Sequence, residues 1–230
     1  MYRPRTFGNK AVLFEFDNRI DPEIHDQVIA LAHELNSRFD TYIAEIIPAY
    51  NSLLVHLKQI NPEVFIAQTN GIVLEGANHK KPMTWRIPVC YDESLGLDLE
   101  EVSAYTKLDI SEIIQQHSNT LYRFYFNGFL PGFMYLGGLS SALHCPRKAS
   151  PRTQIPKGAV GIGGEQTGVY PSNSPGGWNI IGQTPLTLFD LSDESPTPMK
   201  PKDLVKFTPI DLNEFEELNA QQLNLAKYNA

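Results

Sequence analysis

Between Ile113 and Phe189 the chain carries five basic residues, Arg123, Arg147, Lys148, Arg152 and Lys157, against a single acid, Glu165. That stretch is formally +4 in a protein whose net charge is −7, leaving −11 for the remainder. Cations without local acids make a favourable place for an anion. Arg147 and Arg152 each follow a proline, Pro146 and Pro151, which favours extended backbone and fixes the direction of each side chain. Such planar forks bind carboxylate or phosphate bidentately. The competing reading pairs these arginines with acids elsewhere in the molecule or leaves the charges solvated. The same stretch holds 12 of the 16 glycines and 10 of the 24 aromatics, so its backbone must turn tightly or approach something closely.

Other chemistries fit less well. Gly158-Ala159-Val160-Gly161-Ile162-Gly163-Gly164 lacks the Gly-Lys-Ser/Thr ending of a phosphate loop, and Gln166 stands where a dinucleotide fingerprint needs glycine. Ser174 lies between Asn173 and Pro175, so there is no nucleophile elbow. His144 and Cys145 are adjacent in an extended segment and point opposite ways, and no metal site is expected. Cys90 and Cys145 form no disulfide framework. His117 follows Ile113 and Ile114 by four and three residues and so shares their buried face. It reads either as a core histidine or as the general base that could titrate near neutrality.

The elements that must position these groups fall into two halves, with an expected boundary between residues 92 and 93. In the first, Ala11–Phe16, Thr41–Ile47, Ser52–Leu57 and Trp85–Tyr91 have strand character. Asp21-Pro22 and Asn61-Pro62 are helix starts, each a capping side chain followed by proline at the first helical position. The order βαββαβ predicts an α+β, ferredoxin-like N-terminal domain. A helical connector follows over about residues 98–118, with Asp98 and Asp109 as caps. Thr120–Asn127 alternates as a strand, with Tyr122, Phe124 and Phe126 on one side. Beyond Gly128, short strands separated by Gly/Pro turns predict a β-barrel or sandwich: 160–162, 167–170, 178–181, 186–189 and 204–207. A last helix is expected over about residues 211–220. No apolar run reaches the ~18–20 residues of a membrane span, and the short run Ala11–Phe14 is no signal-peptide core. The acidic balance argues against nucleic-acid binding, so a cytoplasmic protein is expected.

One ordered run is more specific than any of these motifs. It comprises Asn127-Gly128-Phe129-Leu130-Pro131-Gly132-Phe133-Met134-Tyr135-Leu136-Gly137-Gly138, then Pro146-Arg147, Pro151-Arg152 and Ile155-Pro156-Lys157-Gly158. Gln166-Thr167-Gly168-Val169-Tyr170-Pro171, Ser174-Pro175-Gly176-Gly177-Trp178 and Gly182-Gln183-Thr184-Pro185 complete it. The run resembles the family that contains the B component of bacterial 5-oxoprolinase, the sporulation kinase inhibitor and allophanate hydrolase subunit 1. The resemblance extends upstream through Asp98-Leu99, Pro88-Val89, Ser52-Leu53-Leu54-Val55 and Ile20-Asp21-Pro22. Lys157 and Ala159 depart from it, standing where a neutral residue and a serine are common.

The resemblance implies a small α/β domain (residues 1–92) and a cyclophilin-like barrel (93–230), with two partners, 5-oxoprolinase subunits C and A. It implies that the assembly opens 5-oxo-L-proline to L-glutamate with ATP and Mg2+ as co-substrate, and it implies no tightly bound cofactor. The other branches would make the chain an inhibitor of a sensor histidine kinase, or a subunit acting on a urea derivative. On the oxoprolinase reading, Arg147 and Arg152 would bind the substrate carboxylate or a phosphate. Gln166 would hydrogen-bond the lactam, and His117 is the candidate base. Pro131, Gly132, Tyr135, Tyr170, Gly176, Gly177 and Trp178 would line the substrate pocket.

Overall fold

Asp21 opens the first long helix as the sequence requires: its carboxylate accepts from the N–H groups of Glu23 and Ile24, with Pro22 at the first helical position. That helix, α1 (Pro22–Phe39), buries Ile24, Val28, Leu31 and Leu35. It belongs to the first of two units into which the chain divides, Met1–Lys81 and Pro82–Ala230. The computed structural model describes residues 2–74 and 81–229. The first unit contains β1 (Arg3–Phe7), β2 (Ala11–Glu15), α1, β3 (Ile43–Pro48), β4 (Ser52–Leu57) and α2 (Pro62–Thr69). Its sheet has the order β1-β2-β4-β3, every neighbouring pair antiparallel. Val12, Phe14, Leu53, Val55 and Phe65 join the α1 face in one core.

The split β-α-β unit is present, since β4 lies between β2 and β3. The strand beside β2, however, is β1 and not the segment Trp85–Tyr91 that was expected to close the βαββαβ order. Gly8, at φ +65°, makes the tight turn that folds β1 back onto β2. All five residues of β1 are exposed, so no alternation marks it as a strand. Its place in the sheet is secured by backbone hydrogen bonds, which any sequence can make.

The displaced segment is β5 (Thr84–Cys90), and it belongs to the second unit. There it pairs in parallel with β13 (Leu204–Ile210), from Thr84 opposite Leu204 to Cys90 opposite Ile210. Its near-continuous apolar run is what burial on both faces demands. Two helices follow, α3 (Leu99–Thr106) and α4 (Ile110–Asn119). Next come β6 (Leu121–Asn127), β7 (Met134–Gly137), β8 (Arg152–Ile155), β9 (Ala159–Gly163), β10 (Gln166–Val169), β11 (Ser174–Gly176) and β12 (Asn179–Gln183). Among the described residues, β10-β7-β6-β13-β5-β12-β9 close into a barrel, while β8 and β11 pair outside it. The chain ends with α5 (Leu212–Gln221) and α6 (Leu225–Tyr228).

Tyr122, Phe124, Leu136, Ile162, Val169, Val205 and Phe207 fill the barrel. A bulge between Phe124 and Phe126 breaks the expected alternation of β6. It buries Tyr125 and sends Phe126 outward to stack on Tyr135 at 4.7 Å. The expected strand at 186–189 is absent: Pro185 precedes it, and Thr187 makes only an isolated bridge to Asn224. Among the described residues no helix is long and apolar enough to cross a membrane.

Candidate functional site

Trp178 organises a pocket on the outer face of the barrel. Gly161, Gly163 and Gly168 share that face of β9 and β10, and the indole lies on them. A Cβ at Gly163 would stand 2.6 Å from the indole, one at Gly168 3.2 Å from its ring, and one at Gly161 3.2 Å from Trp178 Cβ. The glycine-rich segment therefore seats an aromatic ring; it does not cradle a phosphate. Phe133 meets Trp178 edge-on at 5.3 Å and Tyr170 at 5.0 Å, and Tyr135 stands 6.0 Å from the indole. The pocket measures about 190 Å3 and is walled by Phe129, Phe133, Tyr135, Tyr170 and Trp178, with Arg147, Lys148, Pro151, Gly176 and Gly177 completing it.

Phe129 holds an uncommon backbone conformation for a bulky residue, φ +64°, and is 59% exposed at the pocket's edge. Gly176 permits another close approach, since a Cβ there would lie 2.5 Å from the Tyr170 hydroxyl. Burial raises the pKa of both phenols; Arg147 opposes it at Tyr135, and at Tyr170 a hydrogen bond with the Trp178 backbone opposes it ahead of Arg147. Tyr135 and Tyr170 are thus neutral hydrogen-bond donors at physiological pH.

The basic residues separate sharply. Arg152 donates both outer nitrogens to Asp98, at 2.7 and 2.6 Å. Lys148 donates to Asp98 at 2.8 Å and to Glu101 at 2.6 Å. The N–H of Ile180 gives Asp98 a fourth hydrogen bond, at 2.7 Å. Burial opposes ionisation of Asp98, but these donors prevail and hold its pKa below the usual value. Although Asp98 sits at the N-cap of α3, its side chain caps nothing there. Arg147 is different. It lies with its guanidinium carbon 5.8 Å from the Trp178 ring centroid and has no ion pair among the described residues.

Of the residues singled out from sequence, Arg147, Tyr135, Tyr170, Gly176, Gly177 and Trp178 line one pocket. Arg152 is absent from its lining, committed to Asp98. Pro131 is exposed, and Gly132 packs against Phe189 at φ +82°; neither lines the pocket. Gln166 shares with Gly168 the face of β10 opposite to that of Thr167. It is not among the lining residues, and its Oε1 is buried without a partner among the described residues. His117 is enclosed in the barrel. Its ring nitrogens bond the Tyr91 hydroxyl at 2.7 Å and Thr167 Oγ1 at 2.9 Å, and it stacks on Phe207. Burial pushes its pKa down to about 3. The expectation that His117 acts as a base is corrected: it is neutral, enclosed and structural.

The carboxyltransferase domain, subdomain C and D, family matches residues 2–199. The chain belongs to that family. It is 37% identical to the 5-oxoprolinase B component of Bacillus subtilis (strain 168), covering 93% of this chain and 95% of that protein. Against the 5-oxoprolinase B component of Haemophilus influenzae identity is 40%, over 79% of this chain and 85% of the relative. Urea amidolyase of Saccharomyces cerevisiae matches more narrowly, over 29% of this chain at 38% identity. Among solved structures, TTHA0988 superposes with a TM-score of 0.77 at 31% identity over 92% of this chain, which spans 40% of that one.

In this carboxyltransferase-family chain, sequence reasoning missed Asp98, Phe129 and Phe133. Asp98 was read only as a helix cap, because a carboxylate before an amphipathic run carries that signal whatever else it does. The two phenylalanines stand inside the quoted run, and only the fold shows that they line the pocket, Phe133 against Trp178 and Phe129 against Phe133 and Tyr170.

Proposed function

We propose that this chain is the B component of an ATP-dependent 5-oxoprolinase and that the Trp178 pocket binds 5-oxo-L-proline. The observation that carries this reading is Arg147, a cation without a carboxylate partner among the described residues, beside a small aromatic pocket. A flat lactam ring suits the aromatic walls, and its carboxylate suits the Arg147 fork. Tyr135 and Tyr170, both neutral, can donate hydrogen bonds to the lactam oxygen. At about 190 Å3 the pocket is below the ~300–1,000 Å3 of sites for drug-sized ligands. It fits the lactam and not a nucleoside triphosphate, so ATP and Mg2+ are assigned to a site completed by subunits C and A.

An unstrained five-membered lactam is a poor electrophile. Transfer of the γ-phosphoryl group to its carbonyl oxygen breaks the β–γ bridge, releases ADP and creates a leaving group. Water then adds to the carbon, the ring C–N bond opens with the amine taking a proton to leave γ-glutamyl phosphate, and a second water hydrolyses that acyl phosphate to glutamate and phosphate. This chain's part is to hold the ring and its carboxylate while charge develops on the oxygen.

The test mixes the purified chain with subunits C and A, ATP, Mg2+ and 5-oxo-L-proline, and measures glutamate. Lactam-dependent ATP consumption and glutamate release should require this chain. Arg147→Ala removes a charged hydrogen bond worth about 1.5–3 kcal/mol, so kcat/KM should fall roughly 10- to 150-fold. No glutamate from the full mixture would dismiss the reaction. Unchanged kinetics in Arg147→Ala would dismiss the site.

A further inference from the structure

A second pocket, of about 350 Å3, lies in the barrel unit and shares no residue with the Trp178 pocket. Lys157, Gln183, Thr187, Asp190, Asn219 and Gln222 supply its polar lining. Lys157 and Asp190 carry opposite charges yet form no ion pair among the described residues. Each is held by its own anchor. Lys157 Nζ donates to Thr187 Oγ1 at 2.8 Å, and Asp190 Oδ1 accepts from the N–H and hydroxyl of Ser192 at 2.9 and 2.7 Å. Asp190 Oδ2 is left without a partner among the described residues, and the ammonium keeps two further donors.

The surrounding backbone is fixed. The Gln183 amide donates to the Lys157 carbonyl at 2.6 Å, while Thr187 exchanges main-chain hydrogen bonds with Leu223 and Leu225. The C-terminal end of α5 reaches the pocket through Asn219 and Gln222, and such an end favours a positive group. Two opposite charges that line one cavity without pairing with each other among the described residues are complementary to a ligand that carries both.

We propose that this pocket binds a free α-amino acid as its zwitterion, with the carboxylate on Lys157 and the ammonium on Asp190 Oδ2. The amides of Gln183, Asn219 and Gln222 then face the amino acid's side chain and favour a polar one. A derivative with its nitrogen acylated lacks the ammonium and leaves Asp190 facing an uncharged group. The site does not depend on the proposed lactam reaction.

The test is calorimetric titration of the full chain with L-glutamate, L-glutamine, L-alanine, N-acetyl-L-glutamate and 5-oxo-L-proline. At least one free amino acid should bind saturably, and N-acetyl-L-glutamate should not compete. Asp190→Asn keeps the acceptor for Ser192, and Lys157→Met keeps the side-chain length. Each should weaken amino-acid binding about tenfold or more, the equivalent of ~1.4 kcal/mol. Arg147→Ala should leave it unchanged and weaken only 5-oxo-L-proline. Absence of saturable binding by all three free amino acids would overturn the proposal. Binding that tolerates acylation, or that survives either pocket substitution, would overturn it equally.

Discussion

Asp98→Asn is the sharpest perturbation of the pocket's support. The Asp98 side chain is fully buried and accepts four hydrogen bonds, two from Arg152 and one each from Lys148 and Ile180. An asparagine of the same shape keeps one oxygen but turns an NH2 group toward these donors, and it cancels the charge. Removing one partner of a fully buried pair costs about 3–5 kcal/mol. Arg152 and Lys148 remain 27% and 17% exposed, so water recovers part of that loss, and about 2–4 kcal/mol is expected after solvent screening. For a domain this size the melting temperature should drop by roughly 4–16 °C. Thermal and urea unfolding of the single variants Asp98→Asn and Arg152→Met and of the double variant measure this directly. Coupling should appear as a double variant less destabilised than the sum of the singles. The pH dependence follows from the lowered pKa of Asp98. Its contribution is complete above the ordinary carboxyl value of 3.8 and is lost as pH falls through the lower folded value. Wild type and Asp98→Asn should therefore converge in strong acid. A loss below ~0.5 kcal/mol, or strictly additive singles, would refute the reasoning.

Further expectations can be checked separately. Gly163→Ala places a methyl 2.6 Å from the Trp178 indole, so the ring must shift at a cost of about 1–3 kcal/mol. A changed tryptophan fluorescence and a raised KM for the lactam should accompany it, whereas an unaltered spectrum would deny the glycine seat. His117, with its pKa down to about 3, binds its proton in the unfolded chain before it does so in the folded one. It therefore costs stability as pH falls from about 6.5 toward 3, with a slope up to ~1.4 kcal/mol per pH unit. Its ring protons should not titrate by NMR between pH 8 and 5, and a midpoint in that range would contradict its enclosure.

Much of the scaffold was legible because it depends on neighbours in sequence. Asp21-Pro22 and Asn61-Pro62 start helices by capping donors two or three residues away. The apolar positions of α1 repeat at helical spacing and lie on one buried face. Alternation marked Thr41–Ile47, the segment of β3, and most of β6, and the bulge at Tyr125 escaped notice because an extra residue leaves no compositional trace. β1 was invisible because its five exposed residues serve an edge. β5 was visible as a strand, but its sheet was decided by a partner more than a hundred residues onward.

The same division runs through the candidate site. Sequence alone determined that aromatic, glycine and basic residues concentrate in one acid-poor stretch, and its ordered motifs marked the family. Only the tertiary structure decided which cation is available to a ligand. Asp98 reaches Arg152 across 54 residues of chain and neutralises it, together with Lys148, leaving Arg147 over Trp178. A charge count along the chain measures what is nearby in sequence. Ion pairing acts through space, so the acid that completes the basic stretch lies outside it and is brought there by the fold.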